Sequence, residues 1–382
     1  MMRWILTLFV GYSILGCDGG APMPDPRAPA SVLSPELGGA RDQYGMSVVR
    51  SGDTLMVGAP GTDSDSARDT GAVYVYQRAG AGWSLDAVLR PLQEPGSYCG
   101  AHLALDGARA LVSCNDTRSQ SSVERVLVYR REPSGWTITG ELPFPGLGPT
   151  GLQLGFAQDK AVAMDNDGIY AFANLDAGWQ LLNAVELERP SHMSIDRTTL
   201  IAAREGGLYT FTVTDRGVTQ SAEPYAQPGA LTTALASDTA LLGIHYERED
   251  NSIWLEVAAL RLVGDTWREE SRIVPSRPTD DTYYGSQMYL SNEFAVITAP
   301  GMTTPGGAAY VFARAGARWQ ERNILVQDNP AANSAFGLFT YVGTPTLVVD
   351  GHTAMISDYT DEDAGEYPTG VVYAFDDVLA VE

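Results

Sequence analysis

Between Tyr44 and Pro91 the chain alternates short apolar runs with breaks of glycine, aspartate, serine and proline, and the runs have strand length. Met46–Val49, Thr54–Ala59, Ala72–Gln77 and Trp83–Leu89 are predicted as four β-strands, A to D. Arg50-Ser51-Gly52-Asp53 joins A to B as a tight turn in which Gly52 can take a positive φ. Pro60 and Gly61 end strand B, because proline has no N–H to give to a ladder. Valine, leucine and tyrosine occupy both faces of these strands, so the small sheet must be covered on both sides. One such sheet cannot cover itself.

The chain supplies further copies. An aromatic with glycine, an apolar strand, a tight turn, a second apolar strand, a loop, a tyrosine-bearing strand, a turn and a tryptophan recur in that order. Copies two to seven run over Tyr98–Pro143, Gly151–Leu187, Met193–Tyr225, Leu231–Pro275, Tyr283–Val326 and Phe336–Phe375. Five of the seven open strand D with tryptophan (Trp83, Trp136, Trp179, Trp267, Trp319), and the fourth has Val218 there. A unit of roughly 40–55 residues with four strands is the signature of a β-propeller. The seventh copy stops before strand D, and Ala30–Leu33 with the loop to Tyr44 aligns with Ala87–Leu89 and the loop to Tyr98. The expected fold is therefore all-β: a seven-bladed β-propeller of four-stranded antiparallel blades over residues 30–377. The N-terminal strand completes the last blade and closes the ring, which removes a free edge. Residues 378–382 remain as a C-terminal tail.

The run from Tyr44 through Gly52–Pro60 to Gly71–Tyr76, echoed by Tyr283–Gly301 and Gly307–Phe312, resembles the FG-GAP repeat of integrin-alpha-like propellers, in the form found in bacterial lipoproteins. The resemblance spans nearly the whole chain after its leader, most clearly in blades 1 and 6, and it implies the propeller fold. Several integrin-type blades carry a DxDxDGxxD calcium loop between strands A and B. Here that place holds only Ser51-Gly52-Asp53, Asp106-Gly107-Ala108 or Ser291-Asn292-Glu293, a departure from the family's calcium loop.

The first 17 residues read as a targeting segment. Arg3 precedes an apolar run, Trp4 to Leu15, too short to span a bilayer. Ile14-Leu15-Gly16-Cys17 resembles the lipobox of bacterial lipoproteins, with Cys17 as the acylated residue; the alternative is an ordinary secretory signal with an incidental cysteine. Residues 18–29 are a Gly/Pro linker. The expected location is extracytoplasmic, lipid-anchored to a bacterial membrane, with inner or outer membrane left open. The formal net charge is −22, and losing Arg3 makes it one unit more negative. Such a chain is repelled by nucleic acid and by anionic headgroups, so membrane contact is expected through the anchor only, and the protein as a monomer. Of the remaining cysteines, Cys99 begins strand A of blade 2 and Cys114 ends strand B. The hairpin turn at Asp106–Arg109 brings them together, and an oxidising compartment favours a disulfide over two buried thiols.

Catalytic signals are sparse. His102, His192, His245 and His352 fall in different copies, at different levels by alignment, without metal-ligand spacing. The chain has no GxSxG elbow, CxxC pair or phosphate loop. The strand C tyrosines (Tyr74, Tyr76, Tyr129, Tyr170, Tyr209, Tyr310, Tyr373) recur at fixed positions and are expected to pack blade on blade, with the tryptophans at the outer edge of each blade.

In a four-stranded meander the A–B and C–D turns share one rim, and the B–C and D–A loops share the other. The first set is short and uniform. The second is longer, variable and acidic: Asp63, Asp65, Asp69, Asp165, Asp167, Glu247, Glu249, Asp250, Asp280, Asp281, Asp358, Asp361, Glu362 and Asp363. Variable loops on a rigid scaffold are where binding resides. The B–C/D–A rim is thus the candidate interaction face, for a basic partner or a divalent cation, set against solubilising charge as the plain alternative. Asp63, Asp65 and Asp69 are the weak candidates for calcium, lacking the glycine and terminal acid of an EF-hand loop. No other cofactor is expected. The functional expectation is a non-catalytic binding or scaffolding lipoprotein of the cell envelope, meeting a protein or polysaccharide. The alternatives are an enzyme (hydrolase, lyase or dehydrogenase) using the central channel, and a purely structural surface lipoprotein.

Overall fold

The computed structural model describes residues 24–35, 39, 41–80, 82–116, 123–144, 152–247, 253–277, 283–300, 306–328, 334, 336–338, 344–360 and 370–380. Residues 1–23, with the leader and Cys17, lie outside them. Every element is a β-strand, and the strands form seven antiparallel sheets arranged as a propeller. Blade 1 consists of strand A (Ser47–Ser51), strand B (Thr54–Ala59), strand C (Ala72–Ala79) and strand D (Gly82–Leu89). Blade 2 repeats the order with Leu103–Asp106, Arg109–Asp116, Val123–Glu132 and Gly135–Glu141. Strands A of blades 3 to 7 are Gln153–Ala157, Pro190–Asp196, Ala230–Ala236, Met288–Leu290 and Leu347–Asp350.

Strand B is apolar throughout because it is covered twice. In blade 1, Leu55 and Val57 face blade 7 and join Tyr44, Tyr74, Tyr76, Met355 and Val372, whereas Met56 faces blade 2 and joins Val112 and Leu127. Successive strand side chains point to opposite faces, so one run feeds two interfaces. The core is accordingly seven clusters, one at each seam between blades. Each buried Leu or Val contributes about 1.5–3 kcal/mol.

The sequence landmarks take their physical meaning from these seams. Tyr44 packs edge-on against Tyr74 at 5.2 Å, and Tyr284 against Tyr310 at 5.9 Å, so the aromatic before each glycine locks strand C of its own blade. The tryptophans lie on strand D, the outer strand of each blade, and pack there against the preceding blade. Trp267 is buried and donates from Nε1 to Thr210 Oγ1 of blade 4 at 2.7 Å, and Trp83 packs beside the seam between blades 7 and 1 under Arg78. In blade 4, Val218 fills that place, buried, with Asn183 of blade 3 bonded to its N–H and carbonyl.

Ser31–Leu33 pairs antiparallel with strand C of blade 7 (Val371–Phe375), in the register Ser31–Ala374, Val32–Tyr373 and Leu33–Val372, and is the fourth strand of that sheet. The linker contributes more than slack. Pro26–Arg27 lies parallel on strand D of blade 6 (Arg318–Leu325), opposite Ile324 and Leu325. The Arg27 guanidinium donates to the carbonyls of Asp376 and Asp377, and Asn323 Nδ2 donates to those of Val378 and Ala380. Both ends of the described chain are stitched together at the flank of blades 6 and 7.

Candidate functional site

The A strands surround a central channel of about 610 Å³. Its wall mixes apolar and polar side chains, with Val48, Leu103, Leu154, Phe156, Met193, Ile195 and Val348 along it and Arg50, Asp106 and Arg197 at the A–B end.

At the opposite end every blade places a polar residue at one level of strand A. Backbone pairing puts Ser47, Gln153, His192 and Thr232 opposite Gly58, Met164, Ala203 and Gly243, and His102, Gln287 and Thr346 opposite Ser113, Thr298 and Ser357. Most reach across to the next blade. Ser47 Oγ donates to Gly100 O (2.8 Å), Gln153 Nε2 to Ser191 O (3.0 Å), Thr232 Oγ1 to Gly285 O (2.6 Å) and Gln287 Nε2 to Thr344 O (3.1 Å). His192 Nδ1 accepts the N–H of Thr233 at 3.3 Å, which places the single N–H proton of its neutral ring on Nε2. This ring closes the polar backbone groups that the seams would otherwise bury unpaired. His102 and His192 therefore share a level, where alignment of the copies had separated them; pairing across the sheet, not sequence spacing, sets the register.

Blade 2 breaks the pattern twice in one place, beside His102. Cys99 stands where Tyr44 and Tyr284 stand, before Gly100, and is joined to Cys114 by a disulfide with the Cα atoms 4.1 Å apart. Glu124 takes the start of strand C, where blades 1, 6 and 7 have Gly71, Gly307 and Gly370 at positive φ. At Gly71 a Cβ would lie 2.2 Å from Cys99 N, which explains the glycine there. His102 replaces the serine of blade 1, and its Nε2 lies 3.6 Å from Glu124 Oε1 with both residues buried. His102 Nδ1 and Glu124 Oε2 have no hydrogen-bond partner. Burial pushes Glu124 up to about 8, against a hydrogen bond from Ser113, and pulls His102 down to about 4. At neutral pH the pair is a carboxylic acid beside a neutral imidazole. Inspection of the residues one by one missed this cluster; the signal that could have found it is the coincidence of departures from the repeat in one copy.

The rim residues do not act as one group. Glu249, Asp250, Asp280, Asp281, Asp361, Glu362 and Asp363 lie outside the described residues, and Glu247 ends strand B of blade 5. Asp165 is buried; burial raises its pKa while its Oδ1 accepts the N–H groups of Asp167 and Gly168, so it shapes the B–C turn of blade 3. Asp358 is buried too, taking bonds from Gln327, Ser334 and Thr360. Asp167, Asp63 and Asp65 are exposed, and Asp63 Oδ1 accepts the N–H of Asp69 at 2.8 Å. Among the described residues no three His, Cys, Asp or Glu side chains converge to share a metal ion.

The other rim carries ion pairs between blades. Arg50 and Arg78 both meet Asp350 across the seam from blade 7, Arg314 meets Glu270 of blade 5 at 3.1 Å, and Lys160 meets Asp215 of blade 4 at 2.8 Å.

Residues 30–76 match the model of the FG-GAP repeat. No curated protein matches the chain. Among solved structures, a chain of a mitotic checkpoint complex is 10% identical, with 98% of this chain and 99% of that one covered at a TM-score of 0.57. A candidate 6-phosphogluconolactonase of Bacteroides uniformis is 14% identical over 75% of this chain and 86% of that one, at a TM-score of 0.52. At such identities both likenesses speak for the fold alone. The chain is a seven-bladed β-propeller that carries the FG-GAP repeat.

Proposed function

We propose that the protein is a non-catalytic binding or scaffolding lipoprotein of the bacterial cell envelope, anchored through Cys17, with the acidic B–C/D–A rim as its interaction face and a basic protein surface as the partner. The observation that supports this reading is the contrast between the rims. On the A–B/C–D rim Arg78, Arg314 and Lys160 are paired with carboxylates of neighbouring blades, whereas Asp63, Asp65 and Asp167 stand exposed on the other. Unmatched charge on a rigid scaffold steers an oppositely charged partner and makes its capture salt-dependent.

A photo-crosslinking residue at Ser66, on the B–C loop of blade 1, tests the face in living cells against the same residue at Ser134, on the C–D turn of blade 2. Protein adducts from Ser66 that weaken in Asp63→Asn/Asp65→Asn, with none from Ser134, support the reading; equal adducts from both positions refute it. Incorporation of labelled palmitate that disappears in Cys17→Ser checks the anchor. A channel-centred activity is the second reading, favoured by His102 and His192 lining the channel at one level.

A further inference from the structure

We propose that the central channel is a binding site for a small organic carboxylate, held by its charged end at the A–B mouth and by a hydrogen-bonding group at the polar ring. The site is separate from the acidic rim and depends on neither the anchor nor any catalysis.

The chamber follows from what strand A places at each level. The A strands stand side by side in chain order around the axis. One step beyond the polar ring, Val48, Leu103, Leu154, Met193, Met288 and Leu347 form an apolar girdle from six of the seven blades. At the next level blades 2, 3 and 4 carry Ala104, Gly155 and Ser194, where blades 1 and 7 carry Val49 and Val348. The small side chains leave room on one side of the axis. The resulting 610 Å³ lies within the range of small-molecule sites.

Charge marks one mouth. The chain has 25 basic and 47 acidic residues, yet among the described residues two of the three ionised side chains lining the channel are arginines. Arg50 comes from strand A of blade 1 and Arg197 from the A–B turn of blade 4, so they stand on opposite sides of the ring. The third, Asp106, is held by Arg109 of its own blade, and Asp196 Oδ2 accepts the N–H of Ser237. Asp350 meets both Arg50 and Arg78, so one carboxylate serves two guanidinium groups; Asp53, 3.8 Å from Arg78, is exposed. Arg50 Nε is buried with no partner. A buried cationic N–H without an acceptor is costly, and an anion bound at the mouth supplies one.

The polar ring offers the other contact. Ser47, Gln153 and Gln287 donate to the neighbouring blade, whereas His102 borders the channel with its Nδ1 unpartnered. Arg50 lies three residues beyond the ring on strand A, a rise of about 10 Å. The occupant is thus a carboxylate about 10 Å long, apolar in its middle, with a hydroxyl or similar group at its far end.

Calorimetric titration of 4-hydroxycinnamate and of 8-hydroxyoctanoate, a rigid and a flexible acid of comparable length, into the purified full chain tests the site. At least one should bind saturably, one molecule per chain. Arg197→Ala should weaken that binding about tenfold and Arg197→Lys should weaken it less. The methyl ester should bind the parent as weakly as the acid binds Arg197→Ala. Arg197 is exposed on its turn, so a urea midpoint equal to the parent's shows that the variant reports binding alone. Ala104→Leu, whose longer side chain enters the chamber, should exclude both acids. No saturable binding of either acid overturns the proposal. So does binding that Arg197→Ala, esterification or a folded Ala104→Leu variant leaves unchanged.

Discussion

His102 Nε2 lies 3.6 Å from Glu124 Oε1 inside blade 2, and both side chains are buried. Glu124 stands where blades 1, 6 and 7 have glycine, and His102 fills the polar level that Ser47, Gln153, His192 and Thr232 fill in other blades. The leftover atoms, His102 Nδ1 and Glu124 Oε2, are orphaned in the same place. An unpaired buried polar atom has a cost of about 1–3 kcal/mol, so the pair weakens the blade in exchange for sensitivity to protons.

That sensitivity has a definite sign. Glu124 titrates at about 8 in the fold against an ordinary value near 4.5, so the folded state holds the extra proton and stability falls as pH rises from about 4.5 through 8. His102 titrates at about 4 against 6.5, so the folded state holds fewer protons and stability falls as pH drops from about 6.5 through 4. The two slopes cancel between about pH 4.5 and 6.5, which leaves a plateau, and above 6.5 Glu124 alone lowers stability until about pH 8. Urea midpoints measured from pH 4 to pH 9 should show it. Glu124→Gln should flatten the alkaline limb and unfold at higher urea than the parent at pH 9. An unchanged alkaline limb in that variant removes Glu124 as its cause.

Cys99 substitutes covalently for the aromatic contact that Tyr44 makes in blade 1. Leu127 stands where Tyr74 stands, so blade 2 has neither ring of that pair. The bridge closes a loop of 15 residues, for which chain entropy gives about 3 kcal/mol. Cys99→Ala/Cys114→Ala should lower the free energy of unfolding by about that amount, and a reductant in the denaturation buffer should have the same effect on the parent but none on the variant.

Gly58 lies close against blade 2. A Cβ there would lie 2.0 Å from Gly100 O and 2.4 Å from Ser47 Oγ, so Gly58→Ala must push the two A-strand ends apart. Its cost should reach about 3 kcal/mol, the upper end for overpacking. Gly80→Ala, at a turn with open space, meets only the strain of a positive φ and should cost about 1 kcal/mol. Paired denaturation curves check the ranking; similar losses would mean that the seam yields.

Strands and blade count are readable in the sequence because each apolar run is covered on both faces, which leaves a local pattern at every copy. Tyr44, Gly71 and Trp83 each mark a contact that recurs. The channel end was not readable, since Ser47, His102 and Gln153 align only once the ladders are drawn and look unrelated as a string. The acids mislead for the opposite reason. Asp165 and Asp358 look like their exposed neighbours, yet they are buried and hold turns. Composition records charge, and only the fold records where it points.

Leu33 tests the junction on which the ring depends. It pairs with Val372 and packs at the seam between blades 7 and 1. Leu33→Asp removes about 1.5–3 kcal/mol of burial and puts a carboxylate against that seam. Blade 7 then keeps three strands, and Val371–Phe375 presents an unpaired edge, the arrangement that recruits another chain. Light scattering after size exclusion should show concentration-dependent association that the parent lacks. Trypsin should cut after Arg27 sooner, since its guanidinium is held on the Asp376 and Asp377 carbonyls only while the N-terminal segment is seated. A monomeric variant as resistant to trypsin as the parent would show that Ser31–Leu33 is not what holds the last blade.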